Sequence, residues 1–238
     1  MEAQTPTIIF ENEALLAVDK PTGLVVHGDG RTEEATLTDW VLEHYPTLTD
    51  VGGLHTLDSG RYVPRAGILH RLDRETSGVI VIAKNDETFY FLQRQFLDHS
   101  IEKKYYAFVK GTPSPAEGDI DLPIGRSRND FRQWTTGDAA RGNLRPASTY
   151  YLALRSTDAY AFLELSPKTG RTHQLRVHMK AIGHPILCDE RYETPAGLGF
   201  ARLALHASTL SLKLPDGTRT TLLAPLPPDF TLALELFP

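Results

Sequence analysis

Residues 79–83 read Val79-Ile80-Val81-Ile82-Ala83, an unbroken apolar, mostly β-branched run too short for a lone helix. Such a run predicts a strand covered on both faces, around which the rest of the chain must be arranged. It follows the charged segment His70-Arg71-Leu72-Asp73-Arg74-Glu75-Thr76-Ser77-Gly78, itself preceded by the apolar Gly67-Ile68-Leu69. A charged loop held between two strands is where a scaffold places reactive groups. Taken alone, the segment also reads as a surface turn with local ion pairs.

The remaining chain alternates similar short runs with turn residues. Ile8-Ile9-Phe10 and Leu15-Leu16-Ala17-Val18 predict a hairpin around Glu11-Asn12-Glu13. Asp19-Lys20-Pro21-Thr22-Gly23 breaks regular structure through Pro21 and Gly23. A helix is expected from Asp39 to Tyr45, capped by Thr38, and another after an Asn85 N-cap, with Phe89, Leu92 and Phe96 at helical spacing. Residues 46–66 read as an excursion loop. Strands are expected at Ile101–Val109, Thr149–Leu154, Tyr160–Leu165, Leu203–Leu214 and Thr218–Leu223. Residues 111–142 are rich in turns and arginine and give no clear element. Thr172 is expected to cap a helix carrying Leu175, Met179 and Ile182 and ending at Gly183, and a Pro-rich tail closes the chain. Many strands with few helices predict an α+β fold: one domain over residues 1–238, built on a mixed, largely antiparallel sheet flanked by helices and loops.

At 238 residues and 41% hydrophobic composition, a core can form without metal or disulfide. The lone Cys188 excludes an internal disulfide and suits a reducing cytoplasm. The opening Met1-Glu2-Ala3-Gln4 has no basic, apolar signal pattern, and no run of 18 apolar residues predicts a membrane span. The net charge of −5 runs against a generic nucleic-acid binder, whose affinity rests on phosphate contacts. Basic residues nevertheless gather locally, including Lys103 and Lys104, the run Arg126, Arg128, Arg132, Arg141 and Arg145, and Lys168, Arg171, Arg176 and Lys180. They form either one positive face or scattered solvated charge.

The stretch from Lys168 to Met179 concentrates cations at the start of an amphipathic helix, where they oppose the helix dipole. A carboxylate or a phosphate would answer that conflict; Asp73 is a candidate for the first and RNA for the second.

Here the chain resembles the RluA-type pseudouridine synthases. His70 through Gly78 with Ala83-Lys84 matches that family's His-Arg-Leu-Asp signature. Three further blocks agree in order: Asp19-Lys20-Pro21 with Gly23-Leu24 and His27; Glu102-Lys103 with Tyr105; and Thr169 through His178 followed by His184-Pro185-Ile186. Arg202-Leu203 with Leu205-His206-Ala207 matches a late element. The resemblance covers about residue 8 to the C-terminus and implies an active-site cleft across the sheet. It further implies that Asp73 is the catalytic carboxylate, Tyr105 packs against the target base, Arg176 pairs with the catalytic carboxylate and Arg71 fills the space left by a flipped nucleotide. Without the resemblance, Tyr105 reads equally as a core strand residue. His70, Arg71, Lys103, Arg171, His173 and Lys180 are the expected RNA contacts.

The implied reaction breaks the N1–C1′ bond of uridine and joins C5 to C1′, without redox change or cofactor. A carboxylate can act there as nucleophile or as base, and an arginine beside Asp73 would keep it ionised. The expected partner is ribosomal or transfer RNA, with no metal, no membrane and a monomeric cytoplasmic protein. With the first block at Asp19, an extra N-terminal RNA-binding domain is not expected. One departure stands out: Cys188 occupies a position where the family usually has Gly, which would strain the backbone if φ there is positive. Two rival classes remain. A metallohydrolase would use some of the nine His, but no His-Glu-x-x-His helix or paired-Cys site occurs. A catalytically silent RNA-binding module would lack the Asp73, Tyr105 and Arg176 set.

Overall fold

Hydrophobic runs and turn chemistry place most elements of the computed structural model, which describes all residues except 1–4, 29–32, 58–59, 193, 195 and 238. The signal-peptide reading of Met1–Gln4 therefore lies outside the described residues. In chain order the elements are β1 (Thr7–Glu11), β2 (Leu15–Lys20), α1 (Leu37–His44), β3 (Leu54–Thr56), β4 (Tyr62–Pro64), β5 (Ser77–Ala83), α2 (Asp86–Leu97) and β6 (Glu102–Lys110). They continue with β7 (Glu117–Ile120), β8 (Ile124–Ser127), β9 (Trp134–Thr136), β10 (Ala140–Arg145), β11 (Thr149–Ser156) and β12 (Tyr160–Pro167). The chain ends with α3 (Gln174–Ala181), β13 (Leu205–Lys213), β14 (Arg219–Leu223) and α4 (Pro228–Glu235). This is the α+β class expected, and every ladder between named strands described below is antiparallel.

The chain divides into two compact units. The first comprises residues 1–102 and 209–225. In it β2 pairs with both β1 and β5, and every residue of β5 is buried, as its β-branched run predicts. Asn12 closes the β1–β2 turn by accepting the amides of Ala14 and Leu15. Asn85 caps α2 as expected, its Oδ1 accepting the Thr88 amide at 2.9 Å. The cap of α1 lies two residues before the expected Thr38. Thr36 and Asp39 form a reciprocal capping box, while the Thr38 hydroxyl donates to the Val26 carbonyl. Residues 46–66 are not one loop, because β3 and β4 pair within them. Residues 209–213 of β13 pair with β14.

The second unit comprises residues 103–208 and 226–238. Its main ladder runs β6–β12–β11–β7, and a separate three-stranded sheet has the order β10–β8–β9. Those strands fill the 111–142 region that showed no period in the sequence. The core gathers Phe108, Phe162, Phe200, Phe230, Leu163, Leu187 and Met179. The Pro-rich tail contains α4, missed in the sequence because Pro228 reads as a breaker; at the first helical position its missing N–H costs nothing.

Candidate functional site

In the first unit, the predicted catalytic segment hangs from two backbone devices. Gly67 sits at φ +70°, where a Cβ would meet the Ala83 carbonyl oxygen at 2.0 Å, and the Gly67 carbonyl accepts the Ala83 amide. Only glycine fits this approach, which lays the entry to the segment along β5. The second device is the block around Lys20. Its side chain is fully buried and Nζ donates to the carbonyls of Pro21, Leu24 and Arg74 at 2.8, 2.8 and 3.1 Å. The Gly23 amide donates to the same Arg74 carbonyl, with Gly23 at φ +84°, and the Thr22 hydroxyl donates to the Glu75 carbonyl. One buried ammonium thus fixes the turn one residue beyond Asp73. Buried cations need such partners, because an unpaired one is costly to desolvate.

Asp73 itself is half-buried, and its carbonyl accepts the Thr76 amide. Arg71 is exposed; Arg74 is held bidentately by Glu34 at 2.6 Å. His70 stacks on Phe96 of α2 at 4.9 Å, and its Nε2 accepts the Val81 amide. The last contact sets that ring as part of the scaffold of β5. His27 stands 5.0 Å from the His55 ring, and its Nδ1 bonds the Thr38 hydroxyl. Since that hydroxyl donates to the Val26 carbonyl, Nδ1 carries the proton. Burial, then the charges of His55, Arg71 and Arg65, pushes the His27 pKa down to about 4.

The second unit carries Lys103, Tyr105, Arg171, His173, Arg176 and Lys180. Lys103 and Tyr105 share one face of β6; both are half-buried, and burial lowers the Lys103 pKa. Tyr105 packs partly against the aromatic core. The other predicted residues lie on or beside α3. Its start differs from expectation: His173, left-handed at φ +57°, takes the N-cap position in place of Thr172 and makes no side-chain cap bond. The approach to the helix is instead fixed by the buried Gln174. Its Oε1 accepts from the Thr169 hydroxyl and the Arg171 amide, while Nε2 donates to the Ser148 carbonyl and Thr149 hydroxyl. His178 completes this network: Nε2 donates to the Leu122 carbonyl, so neutral Nδ1 accepts from Thr149. Burial lowers the His178 pKa and favours that neutral form.

Arg176 is buried and paired bidentately with Asp189, Nε to Oδ2 at 2.7 Å and Nη2 to Oδ1 at 2.6 Å. A carboxylate therefore does answer the cations at this helix start, and Asp189 supplies it. Tyr192, also buried, gathers the rest. Its hydroxyl bonds His173 Nδ1 and the Trp134 amide, its carbonyl accepts from Lys180 Nζ, and its ring lies 5.1 Å from the Arg176 guanidinium. Asp189, Tyr192, Gln174 and Lys20 were not predicted as site residues; Lys20 and Gln174 lie within the quoted blocks, but the bonds that join them to Arg74, Ser148 and Thr149, like the Asp189–Arg176 pair, link positions 13 to 54 residues apart. Cys188, beside Asp189, has φ +55°, the left-handed value that a glycine there would serve.

Residues 14–181 match the profile described as RNA pseudouridylate synthase. The chain is 37% identical over 239 residues to the ribosomal large subunit pseudouridine synthase D of Zymomonas mobilis, covering 96% of this chain and 72% of the relative. It is 36% identical over 226 residues to an uncharacterized RNA pseudouridine synthase of Synechocystis, covering 94% of this chain and 66% of that protein, about two thirds of its length. The structure of human RNA pseudouridylate synthase domain containing 4 superposes with a TM-score of 0.71 at 29% identity, covering 96% of this chain and 92% of that one. The fold and the ordered blocks thus define a class of enzymes that isomerise uridine in RNA. The chain belongs to the RNA pseudouridylate synthase family. Among the described residues no helix is long and apolar enough to cross a membrane.

Proposed function

We propose that this protein converts uridine to pseudouridine in RNA, with Asp73 as the reacting carboxylate, and that large-subunit ribosomal RNA is the first substrate to try. The observation that carries the reading is the pinned turn: a half-buried carboxylate follows exposed Arg71 on a loop whose backbone is held by a buried lysine. Energy is invested there in shape, not in burying Asp73. The ribosomal choice leans on the name of the Zymomonas relative; transfer RNA is the second substrate. The profile match over 14–181 runs through both units, which supports treating 1–238 as one catalytic domain. Tyr105 would pack on the extruded base and Arg71 would occupy its place in the stack, offsetting an unstacking cost of a few kcal/mol. Arg176 is clamped by Asp189, which would hold its guanidinium in one orientation for the role the family resemblance gives it. No metal, cofactor or second subunit is required by this scheme, which would operate in the cytoplasm.

The chemistry balances without a co-reactant. The N1–C1′ bond breaks, C5 bonds to C1′, the C5 proton leaves to solvent and N1 takes one up. RNA carrying tritium at uridine C5 therefore releases tritium to water as product forms. Wild-type protein is expected to release it from unmodified large-subunit transcript, and Asp73→Asn is expected to release none while unfolding at the wild-type midpoint. Release by Asp73→Asn at the wild-type rate would refute the assignment of Asp73. RNA binding without release by the wild type would favour the silent RNA-binding module.

A further inference from the structure

The three-stranded sheet β10–β8–β9 belongs to no predicted site, yet it carries an unusual charge. Residues 124–145 hold five arginines against two carboxylates, a net +3 in a chain whose total is −5. Arg132 is taken by Asp130, which it meets at 2.9 Å. Arg126, Arg128, Arg141 and Arg145 are exposed and have no carboxylate partner among the described residues. Two of them are held in place by backbone: Arg126 Nη1 donates to the Phe131 carbonyl and Arg128 Nε to the Ala140 carbonyl.

The register makes this arrangement costly in the free protein. Arg141 of β10 is directly opposite Arg126 of β8, which is directly opposite Trp134 of β9. Like charges set opposite one another weaken a sheet unless an anion lies between them. The Arg126 guanidinium lies 4.9 Å from the Trp134 ring, so the row has an aromatic end as well as a cationic one. Beside it, Phe131 is 68% exposed at the β8–β9 turn, and an apolar ring left in solvent among cations suits stacking with a base. The sheet is also continuous with the start of α3. Arg171 donates to the Pro146 carbonyl one residue after Arg145, and the Trp134 amide bonds the same Tyr192 hydroxyl that holds His173.

We propose that this face binds a single-stranded segment of substrate RNA flanking the target, with phosphates over the Arg126–Arg141 row and a base on Phe131. The proposal rests on the reading of the protein as an RNA-modifying enzyme and adds where that RNA runs. It also accounts for an acidic protein holding a polyanion, since five arginines are concentrated in one small sheet while all but two of the chain's 30 acids lie elsewhere in the sequence.

The test is binding of a fluorescein-labelled 20-nucleotide oligouridine, followed by anisotropy between 50 and 300 mM salt. Each single-strand phosphate contact contributes about 0.7 to the log–log salt slope. Arg126→Gln combined with Arg141→Gln should therefore reduce the slope by about 1.4 and weaken binding on the order of 50-fold at 50 mM salt, shrinking to about fourfold at 300 mM. Phe131→Ala should weaken binding roughly tenfold at every salt concentration with the slope unchanged. Arg155→Gln, exposed on β11, serves as the control and should change neither quantity. A double variant whose slope and affinity match wild type, with wild type still binding and releasing tritium, overturns this face alone. A wild type that shows no salt-dependent RNA binding overturns the RNA reading with it. An oligoglutamate that binds as tightly as the oligouridine and is lost equally in the double variant would assign the face to an acidic protein instead.

Discussion

Cys188 offers a sign test of backbone strain next to the Arg176 clamp. At φ +55° an L residue brings its Cβ too close to the following carbonyl, a cost of about 1–2 kcal/mol that glycine avoids. Direct replacement by glycine also removes a half-buried thiol whose Sγ lies 3.1 Å from the Phe200 carbonyl, so Cys188→Gly alone mixes two effects. Comparing Cys188→Gly with Cys188→Ala separates them, since both lack the thiol. At an ordinary φ the glycine variant would be the weaker by roughly 0.5–1 kcal/mol, through the greater freedom of its unfolded chain. Here relief of strain outweighs that term, and glycine should be the more stable by about 0.5–1 kcal/mol. In a chain of this size that is a rise of about 1–4 °C in Tm, or a higher urea midpoint at unchanged slope. Tritium release should be the same in both. An alanine variant more stable than the glycine variant would refute the reasoning, because it would mean that the left-handed backbone at 188 costs less than the chain-freedom difference of roughly 0.5–1 kcal/mol.

Asp189→Ala leaves the Arg176 guanidinium buried without its bidentate carboxylate, and should cost about 3–5 kcal/mol in urea unfolding together with tritium release; a loss below about 1 kcal/mol would show that the pair is not a clamp. His27 titrates near pH 4 in the folded protein and near 6.5 when unfolded, so its contribution to stability is complete above pH 6.5 and is lost as pH falls toward 4. Allowing for its partial exposure, that contribution is about 2 kcal/mol. His27→Asn should flatten the fall in urea midpoint over that window, and an unchanged pH profile would contradict it.

How much of this was legible in the sequence depended on the range of the interaction. The β-branched run at 79–83 and the Asn85 cap act locally, and both appeared where they were read. The helix before residue 45 began two residues early because Thr36 and Thr38 are equally good caps by composition; the reciprocal bond to Asp39 chose between them. Strands β7 to β10 were missed because they are only three to six residues long and carry few large apolar residues, which leaves no period to detect. The site divides in the same way. The named blocks single out Asp73, Tyr105 and Arg176 as candidates and include Lys20, but they do not say what it holds: Asp189 reaches Arg176 from 13 residues away and Lys20 reaches Arg74 from 54, pairings that no local pattern reports.

The burial of Lys20 has a consequence for time as well as for shape. Three carbonyls from two separate stretches share one ammonium, so the turn cannot be reshaped by a rotamer change at any single side chain. To move, it must surrender all three bonds together and expose a charge to a dry interior. Opening is then an infrequent, all-or-none event, and the Gly23 amide, which shares the Arg74 carbonyl, should exchange with solvent deuterium only as fast as that event occurs. An RNA molecule would meet a turn already set when it arrives, and the flexing required for base extrusion would fall to the nucleic acid.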